Sequence, residues 1–272
     1  MGEGWETRRR RGPGSDWAAV RLASHATIRR FEVDTRHFRG NAPRSCDLET
    51  SLDGQLWSSV LQGVALQPDQ VHALPLSSPV DAGWVRLTVH PDGGVARLRV
   101  LGAPTRLGRR ALALSWLNSL PSEQLETVLL GVCASTRWAR ALAGRRPFGD
   151  DLPAQAETVW AGLAPEDWEA ALAGHPRIGD RPPAGSQESR EQAAAAGGEA
   201  ELLDEIARGN AAYERTFNRT FVVRATGRSA AEALQLLRDR LGNDPQTELH
   251  VAAAQQAEIT RLRLSVLLDG PA

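Results

Sequence analysis

Lysine is absent from this sequence, and all 32 basic residues of the 272-residue chain are arginine. Together with the abundant alanine, this absence is typical of the codon bias of a GC-rich bacterial genome, and we give it no functional weight. The formal net charge is −1, divided into +2 before residue 105 and −3 after it. Neither half therefore offers a strongly basic surface, and we expect no nucleic acid as the main partner.

Cysteine and long apolar segments are also scarce. Cys46 and Cys133 lie far apart without CxxC spacing or an adjacent histidine, which predicts reduced thiols rather than a disulfide framework or a zinc site. No uninterrupted apolar stretch approaches the roughly 20 residues that cross a bilayer. The N-terminus places charge before any apolar segment, unlike a secretory signal. We therefore expect a cytoplasmic protein without a membrane partner.

The first hundred residues have the pattern of an antiparallel β domain. Short segments of strand character, such as TIRRFEVDT and GWVRLTVH, are separated by turn clusters such as RGNAPRS and HPDGG. In GWVRLTVH the apolar residues Val85, Leu87 and Val89 alternate with polar ones, as in a strand with one buried face. We predict an antiparallel β-sandwich over residues 1–103.

After LGAPTRLG the apolar period becomes that of helices. In the segment 121–133 the apolar residues recur at helical spacing. Ser229 and Glu232 have the form of a capping box ahead of an apolar run, and we expect a last long helix from about Pro245 to Leu268. The sequence predicts a second, all-α domain over residues 108–269.

Proline and glycine interrupt this helical pattern in the segment 174–198. Loops held on a rigid scaffold are where catalytic residues concentrate. His175 lies there, and a histidine can polarise a bond or relay a proton near neutral pH. Taken alone, His175 is more typical of a surface loop, and Glu191 of a solvated helix start.

Five motifs change that interpretation. They read HPRIG (175–179), SREQ (189–192), FVVRATGRS (221–229), RLGNDP (240–245) and EITRLRL (258–264). In this order and with nearly this spacing they resemble the 2-oxo-4-hydroxy-4-carboxy-5-ureidoimidazoline (OHCU) decarboxylases. The resemblance implies the step of urate degradation that produces S-allantoin, without metal or organic cofactor, by a homodimer formed through the helical domain.

The resemblance also implies roles for individual residues. His175 would act on the substrate hydroxyl as an acid or base, and Glu191 would deliver a proton to one face of the enolate. Arg263 would anchor a carboxylate, although a solvated charge on a helix is the alternative. The implied substrate-binding residues, which include backbone N–H donors from 221 to 225, are Pro176, Ser189, Gln192, Phe221, Val222, Val223, Arg224, Ala225 and Arg263. The family spacing is serine, two residues, then Glu-Gln. Here Glu188 occupies the position expected for the serine, and Ser189 is one residue closer to Glu191.

Motifs in the N-terminal half resemble allantoicase, which hydrolyses allantoate to ureidoglycolate and urea. They are GWETRRRR (4–11), SDW (15–17), FEVDTRHFRGNAPRSC (31–46) and VHPDGGVARLRVLG (89–102). The resemblance implies a jelly-roll sandwich of the galactose-binding type. Allantoicase has two such repeats in tandem and this sequence has one, so we expect either a truncated gene product or pairing with another chain.

Candidate ligand groups in this half are Glu6, Arg8, Asp34, His37 and Asn41, because charged and amide groups suit a ureido acid. The alternative interpretation is structural: Trp5 and Trp17 belong to the core, the arginine run is a solvated face, and Asn41 shapes a turn. The histidines at 25, 37, 72 and 90 match no compact ligand motif, so no metal is expected.

Three hypotheses follow from these patterns. The first is a fusion of two activities of purine catabolism, a competent decarboxylase and an incomplete allantoicase, acting on small ureido and imidazoline acids. A variant of this first hypothesis makes allantoicase the main activity. The second hypothesis makes the β-sandwich a non-catalytic dimerisation or binding module, and the third assigns nucleic-acid binding to Arg8–Arg11.

Overall fold

The computed structural model describes residues 4–9, 12–173, 175, 200–224 and 228–270. The chain divides into two compact units. The first comprises residues up to 113 together with 268–270, and the second runs from 114 to 267. All the strands lie in the first unit and the second unit is helical, which confirms the predicted fold classes.

The strands of the first unit are all paired antiparallel. Five of them form one sheet in the order β4-β3-β5-β2-β7, and β1 pairs with β6 separately. Their bounds are β1 Trp5–Glu6, β2 Asp16–Asp34, β3 Ser45–Ser51, β4 Ser58–Ala65, β5 Val71–His90, β6 Gly94–Val95 and β7 Arg97–Pro104.

The long strands β2 and β5 supply both layers of the sandwich. Their pairing is interrupted between Arg21 and Ala26 and again between Ile28 and Arg30, and such irregularities bend a strand. Buried residues from the second half of β2 and the second half of β5 meet in one cluster, to which β3 and β6 also contribute. Its members are Ile28, Phe31, Val33, Cys46, Leu48, Leu66, Ala82, Val85, Leu87, Val89 and Val95. The bent strand pair therefore encloses the core.

The alternation predicted for GWVRLTVH is confirmed. Val85, Leu87 and Val89 are buried, whereas Arg86 and Thr88 on the opposite face are half-exposed. The buried face follows from the period of two of a pleated strand.

Helices follow the last strand, and the first of them begins within the first unit. The helices are α1 Arg106–Ser119, α2 Ser122–Val132, α3 Thr136–Ala143, α4 Leu152–Ala161, α5 Pro165–Ala173, α6 Ala200–Phe217, α7 Ala230–Arg240 and α8 Pro245–Asp269. The predicted helix over 121–133 is α2, and the predicted long last helix is α8. The capping box is present at α7, because the Ser229 hydroxyl accepts from the Glu232 N–H while the Glu232 carboxylate accepts from the Ser229 N–H.

Both cysteines are free and buried. Burial raises the pKa of the Cys46 thiol to about 12 and also raises the pKa of Cys133, so neither thiol is a ready nucleophile. None of the helices within the described residues is long and apolar enough to cross a membrane.

Candidate functional site

One buried cluster in the helical unit links three of the predicted site elements. Leu172 at the end of α5, Val222 and Ile259 of α8 pack together. Leu172 precedes His175 by three residues, and Ile259 lies one turn before Arg263 on the same helix. The cluster therefore brings together the chain segments that carry His175, Val222 and Arg263.

His175 is tied to the last turn of α5. Its backbone N–H donates to the Leu172 carbonyl at 3.2 Å, and the residue is half-buried. The other predicted residues of this loop and its neighbour, Pro176, Ser189, Glu191, Gln192 and Ala225, lie outside the described residues, so their roles stay predictions.

Residues 221–224, here called the 221–224 segment, are held against α8. Phe221 and Val223 are buried. The backbone N–H of Arg224 donates to Gln255 Oε1 at 3.1 Å, and its guanidinium lies 3.4 Å from the carboxylate of Glu258. The Arg224 N–H is thus already engaged within the protein, although it was among the predicted donors to the substrate.

Arg263 is only 7% exposed, so the interpretation as a solvated charge is wrong. Gln256 and Thr260 are buried on the same side of α8, with Gln256 Nε2 donating to Thr260 Oγ1 at 3.1 Å and lying 3.7 Å from Cys133 Sγ. The charge of Arg263 offsets part of the rise that burial causes in the pKa of Cys133. Gln256, Thr260 and Arg263 recur at helical spacing, which is the sequence signal for this polar set.

In the sandwich unit the structure brings Glu6 and Asn41 together. The Asn41 side-chain amide donates to Glu6 Oε1, and the Asn41 carbonyl accepts from the Gly94 N–H at 2.8 Å. A Cβ at Gly94 would lie 1.9 Å from the Phe38 ring, so only glycine fits where the backbone passes this ring. Arg8 is exposed and takes no part in this contact.

Asp34 and His37 are engaged differently. The Asp34 carboxylate is buried and accepts from Arg36 Nε at 3.0 Å and Nη2 at 2.7 Å. This hydrogen bonding from Arg36 holds the pKa of Asp34 below its usual value. His37 has a φ of 74° and its N–H donates to Asp69 Oδ1 at 2.9 Å, which lowers the pKa of Asp69. Asp34 thus has a structural role, and Asp69 is a charged neighbour that the sequence did not indicate.

We expect Asp34→Asn to lower the free energy of unfolding of the sandwich unit by about 2 kcal/mol near neutral pH, since hydrogen bonds to a charged group are lost. A carboxyl whose pKa is lowered on folding stabilises above its unfolded pKa, and the contribution disappears as pH falls through the folded value. Urea unfolding should therefore separate wild type from Asp34→Asn at about pH 7 and much less at about pH 3. The exposed Asp81→Asn is the control, and an equal gap at both pH values would contradict the assignment.

The interpretation of Trp5 and Trp17 as core residues is wrong, because they are 48% and 65% exposed. The Trp17 ring centroid lies 5.8 Å from the Arg86 guanidinium, and that of Trp57 lies 4.5 Å from it. Arg86 is paired with Glu49 at 2.5 and 2.7 Å. Trp17 pairs with Thr88 in the register of β2 and β5, which places it on the outer face of the sheet.

Two further histidines of this unit make hydrogen bonds within the sandwich. His72 Nε2 accepts from the Gln67 N–H at 2.8 Å while Nδ1 lies 3.1 Å from the Val33 carbonyl, and His90 Nε2 lies 2.7 Å from Asp47 Oδ2. Within the part of the chain that the structure describes, no three His, Cys, Asp or Glu residues are grouped as metal ligands.

Comparison with known proteins agrees with both resemblances. The OHCU decarboxylase family model matches residues 118–265, more than half of the chain. The allantoicase repeat model matches residues 1–105.

Similar proteins with curated names are allantoicases. The chain is 45% identical over 115 residues to the probable allantoicase 2 of Burkholderia pseudomallei, an alignment that covers 38% of this chain and 34% of that protein. It is 40% identical over 113 residues to the allantoicase of Dictyostelium discoideum, with 37% and 31% covered. The chain therefore spans about a third of the length of the curated relatives it matches.

Two solved structures are similar to separate parts of the chain. An OHCU decarboxylase crystallised in the presence of (S)-allantoin is 31% identical, with a TM-score of 0.48, covering 55% of this chain and 99% of that one. The allantoicase of Saccharomyces cerevisiae is 39% identical, with a TM-score of 0.35, covering 36% and 31%. On the family match over residues 118–265, the chain belongs to the OHCU decarboxylase family, and it carries an allantoicase repeat ahead of the decarboxylase domain.

Proposed function

We propose that the helical domain decarboxylates OHCU to S-allantoin without a cofactor. The observation that carries this proposal is the buried cluster of Leu172, Val222 and Ile259, which joins the segments bearing His175 and Arg263. Membership of the decarboxylase family supplies the substrate class.

The chemistry asks little of the protein beyond binding and proton control. When the bond to the substrate carboxylate breaks, CO2 leaves and the electron pair is delocalised into the adjacent imine and carbonyl groups of the substrate, so the substrate is its own electron sink. His175 takes or shares the proton of the substrate hydroxyl. Arg263 binds a carboxylate, and Glu191 delivers the proton that completes S-allantoin.

The proposal is tested by generating the substrate from urate in solution and following allantoin formation by circular dichroism with the full chain. We expect one enantiomer to appear much faster than in the reaction without protein. A racemic product formed at the spontaneous rate would overturn the proposed activity, even though the domain has the family's fold.

A second activity, hydrolysis of allantoate, is proposed for the sandwich unit. Curated relatives of this half are named allantoicases, and the hydrogen-bonded Glu6 and Asn41 offer a carboxylate and an amide in one place. Urea release from allantoate by the full chain, lost in Asn41→Ala, would support it. Absence of urea release would leave the unit as a binding or dimerisation module.

A further inference from the structure

Arg240, the last residue of α7, is the centre of a buried charged network. Its Nε and Nη2 atoms donate to Glu248 Oε1 at 2.8 and 2.5 Å, and the Tyr213 hydroxyl donates to the same oxygen. Asn243 Nδ2 donates to Glu248 Oε2 at 2.7 Å. Burial raises the pKa of Tyr213, so the hydroxyl remains a neutral donor. Glu248 is fully buried, with both oxygens engaged.

Such a network is not explained by stability alone. A buried ion pair gains little over apolar residues of the same size, because desolvation of the two charges offsets their attraction. The Arg240–Glu248 pair has a further feature, because the third guanidinium nitrogen of Arg240, Nη1, binds outside the pair. Arg240 Nη1 donates to the Val222 carbonyl at 2.7 Å, and the guanidinium carbon lies 4.6 Å from the centre of the Phe221 ring.

The 221–224 segment is therefore held at two points by side chains from outside it. Arg240 holds the carbonyl of Val222, and Gln255 accepts the N–H of Arg224. In a trans peptide the carbonyl and the next N–H point in opposite directions. With the Val222 carbonyl directed at Arg240, the N–H of Val223 points away from Arg240.

We infer that Arg240, braced by Glu248, is a positioning residue that aims the Val223 N–H at the substrate, while Gln255 fixes the next peptide. The inference rests on the proposed decarboxylase function. Within the stretch implicated by the sequence it favours the Val223 N–H over that of Arg224, which is already bound by Gln255. A pre-oriented donor of this kind acts on an oxygen where charge develops, without reorganisation during the reaction.

The first test replaces the pair together, as Arg240→Met/Glu248→Met, so that no buried charge is left unpaired. We expect a folded protein whose kcat/KM for OHCU falls about 100-fold, since a donor misplaced by about 1 Å can cost that much, with a lower enantiomeric excess. Amide hydrogen exchange should accelerate in the 221–224 segment and stay unchanged in the middle of α8. The matched control is Arg238→Met/Glu205→Met, an exposed pair joined at 2.7 Å, which should behave as wild type.

The second test changes Gln255, the other residue that holds the 221–224 segment. It leaves the buried charged network intact, so a folding defect of Arg240→Met/Glu248→Met does not affect it. Gln255→Leu removes the acceptor for the Arg224 N–H, whereas Gln255→Glu keeps an acceptor oxygen at this half-exposed position. We expect Gln255→Leu to lose about tenfold in kcat/KM, within the range for a partly misplaced donor. Gln255→Glu should restore most of the loss.

The outcomes separate the inference from the proposed function. Unchanged exchange in the 221–224 segment of Arg240→Met/Glu248→Met would overturn the inference, whatever the activity. Accelerated exchange with wild-type kcat/KM and stereochemistry would overturn it as well, because the position of the segment would then not matter. An inactive wild type would remove the proposed function, and the exchange measurement would still decide whether Arg240 holds the segment.

Discussion

The His175→Asn variant is expected to form allantoin from OHCU about 100-fold or more slowly than wild type. General acid–base catalysis by a positioned side chain contributes roughly 10²–10⁴-fold, and asparagine cannot exchange a proton near neutral pH. The bond from the His175 N–H to the Leu172 carbonyl involves only backbone atoms, so the substitution leaves the end of α5 intact. Circular dichroism of the allantoin formed gives rate and stereochemistry together.

Two companion variants sharpen this result. His250→Asn changes an exposed histidine of α8 that lies against Trp168, and it should keep the wild-type rate. Glu191→Gln removes the proposed proton donor and should lower both the rate and the enantiomeric excess. A near-native rate and a single enantiomer from His175→Asn would show that the hydroxyl of OHCU is handled by another group.

Arg240→Met alone is expected to lower the free energy of unfolding of the helical unit by about 3–5 kcal/mol, the usual cost of leaving a buried charge without its partner. Glu248 is fully buried and its Oε1 atom would lose two of its charge-assisted hydrogen bonds. Far-UV circular dichroism during urea unfolding follows the helices and therefore this unit. The double variant with Glu248→Met should recover most of the loss.

The matched control is Arg238→Met, because Arg238 and Glu205 are exposed and such surface pairs contribute about 1 kcal/mol or less. A double variant that is no more stable than Arg240→Met would assign the defect to lost packing of the arginine side chain instead.

Local pattern was sufficient for the fold classes. The alternation around Val85, Leu87 and Val89 identified the buried face of β5, because a pleated strand repeats every two residues wherever it lies. The capping box at Ser229 identified the start of α7, because its hydrogen bonds close within one turn. Strands β3 and β4 were not predicted individually, although β3 alternates between buried and half-buried residues along most of its length.

The candidate site was predictable only in part. The motifs identified His175, the 221–224 segment and Arg263 as belonging to one site, and the shared cluster beneath them agrees with that grouping. The contributions of Gln255 and Arg240 were not visible, because their partners Arg224 and Val222 lie on another part of the chain.

The sequence by itself determined the fold class of each half, the buried face of β5, the start of α7 and the family, because periodicity, caps and motifs act over a few residues. Only the tertiary structure decided which polar groups meet. It paired Arg240 with Glu248, buried Asp34 beside Arg36, and left Trp17 on the outer face of the sheet. The physical reason is that the free energy of burying a polar or aromatic side chain depends on the groups around it. Those groups come largely from distant segments of the chain.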